Sequence, residues 1–359
     1  MFRKIIFWTH LCVGITAGLV ILNSAVTGTL LAFEPQIVDF AERGVRRVVP
    51  PPSGERWGID ALVAKARETE PDRIPNGVTV KSDPAASVAV NFGKETGVRY
   101  LNPYTGEVLG KDSWIHGALH EVQDWHRWLW SREIGKVITG AADILFFLLA
   151  VSGIYLWWPN KVFHFEGKLQ GKARDWNWHN VIGFWCAPLI LITTITGAAM
   201  SYQWANDFLY RAAGSEPPVV QKMPEKPKTA GTLPFLDPFL EKAGQQVPGW
   251  VSINLRLPQK EGAPVTASIQ EPAPWWVMSP RSQLSLDPKT AETVKWEPYS
   301  EQSAGRKWRT YAKYLHTGQA GGVAGQFLMC LSAIGITVMV WTGFALAWRR
   351  FFKQKQTAN

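Results

Sequence analysis

Residues 176–206 read WNWHNVIGFWCAPLILITTITGAAMSYQWAN, a stretch without a single Asp, Glu, Lys or Arg, with His179 near its start and Thr196-Gly197 toward its end. About twenty apolar residues in a helix cross the hydrocarbon core of a bilayer, so this stretch is long enough to span. Three more windows share its character: Ile5–Phe33, Val137–Pro159 (interrupted only by Asp143) and Thr317–Trp348. Four such windows exclude a simple soluble enzyme. The polar intervals between them exclude a pure membrane bundle. The average hides this, since the 359 residues are 46% hydrophobic and 19% charged.

The spacing inside the windows repeats. Each has a His near or before its start and a Ser/Thr-Gly pair toward its other end: His10…Gly28, His126…Gly153, His179…Gly197 and His316…Gly343, with separations of 18, 27, 18 and 27. The polar regions repeat as well. A helical stretch from Asp60 is followed by strand-like 77–80 and 87–92 and a tail Tyr100-Leu-Asn-Pro-Tyr-Thr-Gly-Glu-Val-Leu. A helical stretch from Leu236 is followed by 251–257, 265–269 and a tail Leu284-Ser-Leu-Asp-Pro-Lys-Thr-Ala-Glu-Thr-Val. Asn/Asp-Pro followed by Thr-Gly/Ala is turn chemistry. The expected fold is a membrane α-helical four-helix bundle with two small α+β modules, the span–module–span unit being duplicated. The chain divides into a first span at 5–33, a first module at 34–115, an outer-face helix and second span at 116–158, a loop at 159–178, a third span at 179–206, a linker and second module at 207–310, a fourth span at 311–348 and a basic tail at 349–359. Pro/Lys-rich 216–232 reads as the linker.

Charge orients these pieces. With a cytoplasmic N-terminus, the cytoplasmic segments hold Arg3, Lys4, Lys161, Lys168, Lys172, Arg174, Arg349, Arg350, Lys353 and Lys355 against Glu166 and Asp175. That is 10 − 2 = +8 of the formal +9. The asymmetry is the positive-inside pattern. It predicts both termini in the cytoplasm and both modules on the far side, and it explains the basic excess without a nucleic-acid partner. The first apolar run is too long for the h-region of a cleaved signal peptide, so it reads as an uncleaved anchor. Trp8, Trp157, Trp158, Trp204, Trp341 and Trp348 lie at or near span ends, as an interfacial belt would have them. Cys12, Cys186 and Cys330 all fall inside spans and read as buried structural residues, and no Cys-x-x-Cys-His motif for covalent haem attachment is present.

Ionisable residues within spans read as functional by default. Alternating span direction puts His10 and His179 at one depth, His126 and His316 at another. Two imidazoles from facing helices, twice, suit a six-coordinate haem iron with one neutral imidazole on each face. Gly14 and Gly183 lie one helical turn beyond His10 and His179. They either let a flat macrocycle lie against the backbone or let helices pack closely. Gly28 and Gly197 are five turns from the same histidines, on the same face. A zinc site is the competing reading, but zinc wants four ligands and no acid accompanies His10 or His179. His116 and His120 form an i, i+4 pair. They read as part of an amphipathic interfacial helix, with His120 an alternative axial ligand to His126 or the pair a metal site of its own. His164 reads as solvated. Asp143 reads as an interfacial hydrogen-bonded carboxylate, a proton carrier or a partner of a haem-edge group. The Gly-rich run after His316 lacks the strand that a phosphate-binding loop requires.

These segments resemble the PepSY-associated transmembrane proteins of bacterial inner membranes, a family that includes ferric-siderophore reductases. The likeness is carried by Asp124-Trp-His-Arg-Trp-Leu, Ser152-Gly-Ile-Tyr-Leu-Trp-Trp-Pro, Asp175-Trp-Asn-Trp-His-Asn-Val-Ile-Gly-Phe-Trp, Leu315-His-Thr-Gly and the Pro-Tyr-Thr-Gly-Glu tail, with Ala291 standing where the second tail would have Gly. The resemblance implies two b-type haems, ligated by His10 with His179 and by His126 with His316. It implies electron flow from the cytoplasmic side or the membrane pool to a ferric siderophore in the periplasm. Two imidazoles would leave iron no open position, so outer-sphere transfer without a catalytic side chain is expected, and with no dinucleotide fingerprint the expected donor is quinol or a partner protein. Tyr100, Tyr104, Trp275 and Trp276 are candidate walls of a substrate cleft. The alternatives are a dihaem quinol-linked reductase of another substrate and a haem-free accessory protein.

Overall fold

The computed structural model describes residues 1–218, 235–258 and 262–352. In chain order the helices and strands are α1 (Phe2–Leu31), α2 (Glu34–Ala41), α3 (Arg43–Arg46), α4 (Ile59–Glu68), β1 (Gly77–Lys81), β2 (Val88–Asn91), β3 (Val98–Leu101), β4 (Val108–Lys111), α5 (Trp114–Trp128), α6 (Ile134–Trp157), α7 (Gly171–Ser201), α8 (Gln203–Ala212), α9 (Asp237–Gln246), β5 (Ser252–Arg256), β6 (Val265–Gln270), β7 (Arg281–Leu286), β8 (Thr293–Glu297), α10 (Ala304–His316) and α11 (Gly322–Phe352). They form two units. One comprises residues 1–34, 118–217 and 304–359, the other 35–117 and 218–303. The linker lies outside the described residues from position 219 on, as do Lys353 and Lys355.

The first unit is a four-helix bundle. α1, α6, α7 and the helix ending at Phe352 are long and apolar enough to cross a membrane. α1 packs on α6 and α11, and α7 packs on the same two, so α1 lies diagonally across from α7 and α6 across from α11. Midway along, Ala17, Ile21, Ala25, Cys186, Ile190 and Ile336 form a dry core. At the end where α6 passes to α7, buried Asp175 pairs with Arg174 at 2.9 Å and with Arg349, which ties α11 to α7. Trp157 is not part of an interfacial belt. It is buried and stacks on Phe184 with ring centres 4.4 Å apart. Cys12, expected to be buried, is exposed on the outside of the bundle, and none of the three cysteines is paired.

In the second unit the two polar regions share one antiparallel sheet, ordered β4-β3-β2-β1-β5-β6-β7-β8. Two four-stranded meanders thus meet through their first strands, with Val78 opposite Leu255 and Thr79 opposite Asn254. Asn254 Nδ2 donates to Thr79 Oγ1 at 2.6 Å across that seam. Strand residues alternate between faces: Val265, Ala267 and Ile269 are fully buried, whereas Thr266, Ser268 and Gln270 are not. The apolar face carries α4 and α9 and forms one continuous core with Leu62, Leu101, Leu236, Ile253, Leu255, Leu284 and Leu286. The two helices cap each other. Asp237 accepts from the backbone N–H of Ile59 at 2.5 Å, and Asp60 accepts from that of Leu236 at 2.6 Å. Each carboxylate serves the N–H groups that its partner helix leaves open. Burial and the adjacent Asp60 carboxyl together hold the Asp237 pKa above its ordinary value.

The turns closing each meander share one backbone form. Gly106 and Ala291 have φ of 72° and 55°, and each N–H donates to the carbonyl of the Asn102 or Asp287 that opens the turn, at 3.0 Å. Alanine is tolerated at 291, but a Cβ on Gly106 would overlap the Trp57 indole. Tyr100 and Tyr104 belong to the interior rather than to a cleft wall. The Tyr100 hydroxyl donates to Glu42 at 2.8 Å and that of Tyr104 to the Pro84 carbonyl at 2.7 Å.

Glu42 is 2% exposed and gathers this corner of the unit. Its carboxylate accepts from Arg46 (2.7 and 2.6 Å), Tyr100, the Ser113 N–H (2.9 Å) and hydroxyl (3.2 Å), and His116 Nδ1 (3.1 Å). Burial pushes its pKa up, but the Ser113 N–H, the Tyr100 hydroxyl and Arg46 outweigh burial and leave it below the ordinary 4.5. Glu42 therefore contributes stability that is present above its unfolded pKa and lost as pH falls through the depressed folded value. We expect Glu42→Gln to cost about 2 kcal/mol at neutral pH. In pH-dependent urea unfolding the cost should shrink once the pH drops below 4.5. Gly106→Ala, which combines overlap with a left-handed φ, should destabilise the sheet unit by about 2 kcal/mol. The same measurement should find Ala291→Gly within about 1 kcal/mol of the parent chain.

Candidate functional site

The bundle brings four histidines together as two pairs. His10 on α1 and His179 on α7 have ring centres 6.4 Å apart and planes at 85°. His126, near the end of α5, and His316, ending α10, have ring centres 6.4 Å apart and planes at 73°. The first pair joins one diagonal of the bundle. The second pair comes from the helices that lead into α6 and α11 and joins the other. From His10 to Thr27 on α1, and from His179 to Thr196 on α7, is 17 residues in each case. That is about 25 Å of helix axis, so the pairs form two well-separated tiers.

Each ring is held by a neighbouring helix. His10 Nδ1 lies 2.8 Å from Ser152 Oγ, and His126 Nδ1 lies 2.8 Å from Thr27 Oγ1. His179 Nδ1 lies 3.1 Å from both Thr342 Oγ1 and the Met339 carbonyl. His316 Nδ1 lies 3.1 Å from both Thr196 Oγ1 and the Thr193 carbonyl. The direction of these bonds follows from the other bond each hydroxyl makes. Ser152, Thr27, Thr342 and Thr196 donate their protons to the carbonyls of Leu148, Asn23, Val338 and Ile192, four residues back, at 2.6–2.9 Å. A hydroxyl has one proton, so toward the imidazole each of these oxygens accepts. This arrangement favours the proton on Nδ1, which the Met339 and Thr193 carbonyls also call for at His179 and His316, and it leaves the Nε2 lone pair for a metal.

The spacing suits one metal between each pair. With a metal–imidazole bond of about 2.0 Å and about 1.1 Å from a ring nitrogen to the ring centre, two trans imidazoles have centres roughly 6.2 Å apart. Among the described residues no cluster of three or more His, Cys, Asp or Glu exists, which removes the donor set a zinc site wants. Two neutral nitrogens in each tier could hold a metal that brings its remaining ligands with it, as a porphyrin-bound iron would. The tiers therefore fit haem.

The glycines have distinct settings. A Cβ on Gly28 would lie 3.6 Å from His126 Cε1, so Gly28 serves the second tier and not the His10 on its own helix. Gly153 and Gly343 stand in the same relation to His10 (3.4 Å) and His179 (3.5 Å). A Cβ on Gly197 would meet the Asp143 carboxylate at 3.1 Å. Gly14 and Gly183 do not mark a close approach of helix backbones. A Cβ there would touch only the side-chain ends of Leu149, at 3.9 Å, and Met339, at 3.4 Å.

His120 is exposed and outside both tiers, while His116 is engaged by Glu42. His164 is exposed. Asp143 is not the hydrogen-bonded interfacial carboxylate its position suggested, because its Oδ2 is buried without a hydrogen-bond partner. Trp275 and Trp276 are 78% and 60% exposed on the β6–β7 connection. Sequence reasoning missed the four hydroxyls that set the tautomers. Their signal was the Ser/Thr of each recurring Ser/Thr-Gly pair, where attention went to the glycine.

No curated protein matches the chain. A family model described as PepSY-associated TM region matches residues 7–350. With four helices fit to cross a bilayer and the match running through all of them, the chain is a membrane protein belonging to the PepSY-associated transmembrane family.

Proposed function

We propose that this protein is a transmembrane electron carrier holding two b-type haems, one between His10 and His179 and one between His126 and His316, and that it reduces a ferric siderophore. The observation that carries the reading is the pair of facing imidazoles in each tier, every ring with its Nδ1 engaged by a hydroxyl of a neighbouring helix. Haem held by these residues would supply reversible one-electron chemistry. The residues do the rest. Ser152, Thr27, Thr342 and Thr196 orient the rings, Gly28, Gly153 and Gly343 leave room at ring edges, and the apolar helices keep water away. The basic excess in residues 1–4, 159–178 and 349–359 supports an inner-membrane orientation with both termini cytoplasmic and the sheet unit periplasmic. The matching His and Gly separations in the two halves support descent from a duplicated span–module–span unit. Electrons enter from quinol or a cytoplasmic donor and leave by outer-sphere transfer at the periplasmic end. Reduction to Fe(II) weakens the hard-oxygen binding of the chelate and frees the metal.

Protein produced with ample haem should show a Soret band and two haems per chain by pyridine haemochrome assay. His10→Ala or His179→Ala should leave one haem, and His126→Ala or His316→Ala should leave the other, whereas His120→Ala keeps both. A parent chain without a Soret band overturns the reading. In stopped-flow mixing, the dithionite-reduced protein should be reoxidised by ferric chelates of the hydroxamate or catecholate type. Indifference to every ferric chelate tried would turn the assignment toward a different reducible substrate.

A further inference from the structure

Asp143 is the one acidic residue in the four charge-poor windows. It extends from α6 into the seam with α7, beside Gly197. Gly197 follows Thr196, whose hydroxyl holds His316 Nδ1 at 3.1 Å. The carboxyl therefore meets α7 one residue from the side chain that holds His316, with Oδ2 buried and unpartnered. An ionised carboxylate in such a place is strongly disfavoured unless a positive charge lies nearby.

The helices packed on α6 supply no such charge. α1 carries no Lys or Arg beyond Lys4, and its His10 and Cys12 belong to the first-tier end. α7 offers Lys172, Arg174, Asp175 and His179, all at the first-tier end, and Cys186 midway. Tyr202, just beyond α7, sets its hydroxyl against Gly140, one turn before Asp143, where a Cβ would lie 2.7 Å from it. Lys136 is on the first turn of α6 itself, and His126 and Arg127 end α5. Among the described residues none of these forms an ion pair with Asp143. The spacing also singles out this half of the chain. Asp143 lies 17 residues past His126, and Ala333 lies 17 residues past His316.

We propose that Asp143 is a proton-uptake group coupled to the second tier: it binds one proton when that tier gains one electron. The inference rests on the haem reading above. The iron–porphyrin core of a haem held there by two neutral imidazoles would lose one positive charge on reduction, so its oxidised form would favour an ionised Asp143 and its reduced form a protonated one. Asp143 then takes a proton from hydronium in the adjoining aqueous phase, forming a carboxylic acid and water, as one electron arrives from the first tier. The summed charge of the site stays constant, so electron entry into this low-dielectric region carries little electrostatic penalty. The Tyr202 hydroxyl, against Gly140, stands one turn of α6 from Asp143.

The test is a spectroelectrochemical titration of the haem-loaded chain over a range of pH. The second-tier potential should fall as pH rises, approaching about 59 mV per tenfold change in proton concentration, and the first-tier potential should be far flatter. Asp143→Asn should abolish the slope and hold the second tier at the parent's low-pH potential, and Asp143→Glu should restore it. Redox-difference infrared spectra should gain a protonated-carboxyl band on reduction, lost in Asp143→Asn and shifted in Asp143→Glu. If Asp143→Asn fails to load haem, the band in the parent and its shift in Asp143→Glu decide the matter. A Soret-active parent with two pH-independent waves, or a slope and band that survive in Asp143→Asn, overturns this inference and leaves the haem reading intact. Absence of a Soret band overturns the haem reading itself.

Discussion

A hydroxyl that donates to its own helix has only a lone pair left for a neighbour. That constraint, met at Ser152, Thr27, Thr342 and Thr196, organises the bundle. It ties α1 to α6 and the segment before α6 back to α1, and it does the same for α7 and α11. Because every tie stays within one half of the chain, each pair of rings must meet across halves. The diagonal pairing of His10 with His179 and of His126 with His316 is the result. Buried polar groups in a membrane helix are costly unless satisfied. Here the four hydroxyls are satisfied by bonds that also engage the imidazoles, so the same groups serve both stability and the site.

The sheet unit meets a related demand by other means. Its two helices leave open N–H groups over an apolar core, and each receives a carboxylate from the other. The two meanders share one hydrophobic face, closed by the β1–β5 seam and the Thr79–Asn254 bond. Glu42 then fixes α3, β3 and the start of α5 to one another through a fully occupied carboxylate. Such a network stabilises when every member is satisfied and is costly when one is missing.

Much of this was legible in the sequence because it rests on period and spacing. Charge-free windows gave the four long helices. Alternating residues such as those of 265–269 gave strands. The recurring His separations placed His10 with His179 and His126 with His316. What was not legible depends on partners distant in sequence. Gly28 looked like a companion of His10, since both lie on one face of α1, yet it borders a ring reached from α5. Tyr100 and Tyr104 looked available for a cleft until their hydroxyls were found at Glu42 and Pro84. Asp143 looked interfacial because depth along a helix does not reveal which seam a side chain enters. The continuity of the two modules was hidden for the same reason, since a strand's sequence does not show what lies along its edge.

That continuity bears on how the chain is made. β1 finds its partner β5 only after another 171 residues, counting from Lys81 to Ser252, have left the ribosome. At about 5–20 residues per second the first meander waits roughly 10–30 s with its β1 edge bare and the N-terminus of α4 uncapped. An exposed edge of this kind templates wrong pairings. The nascent protein therefore passes through a vulnerable interval in which a holdase, or the insertion machinery itself, has a strand to shield.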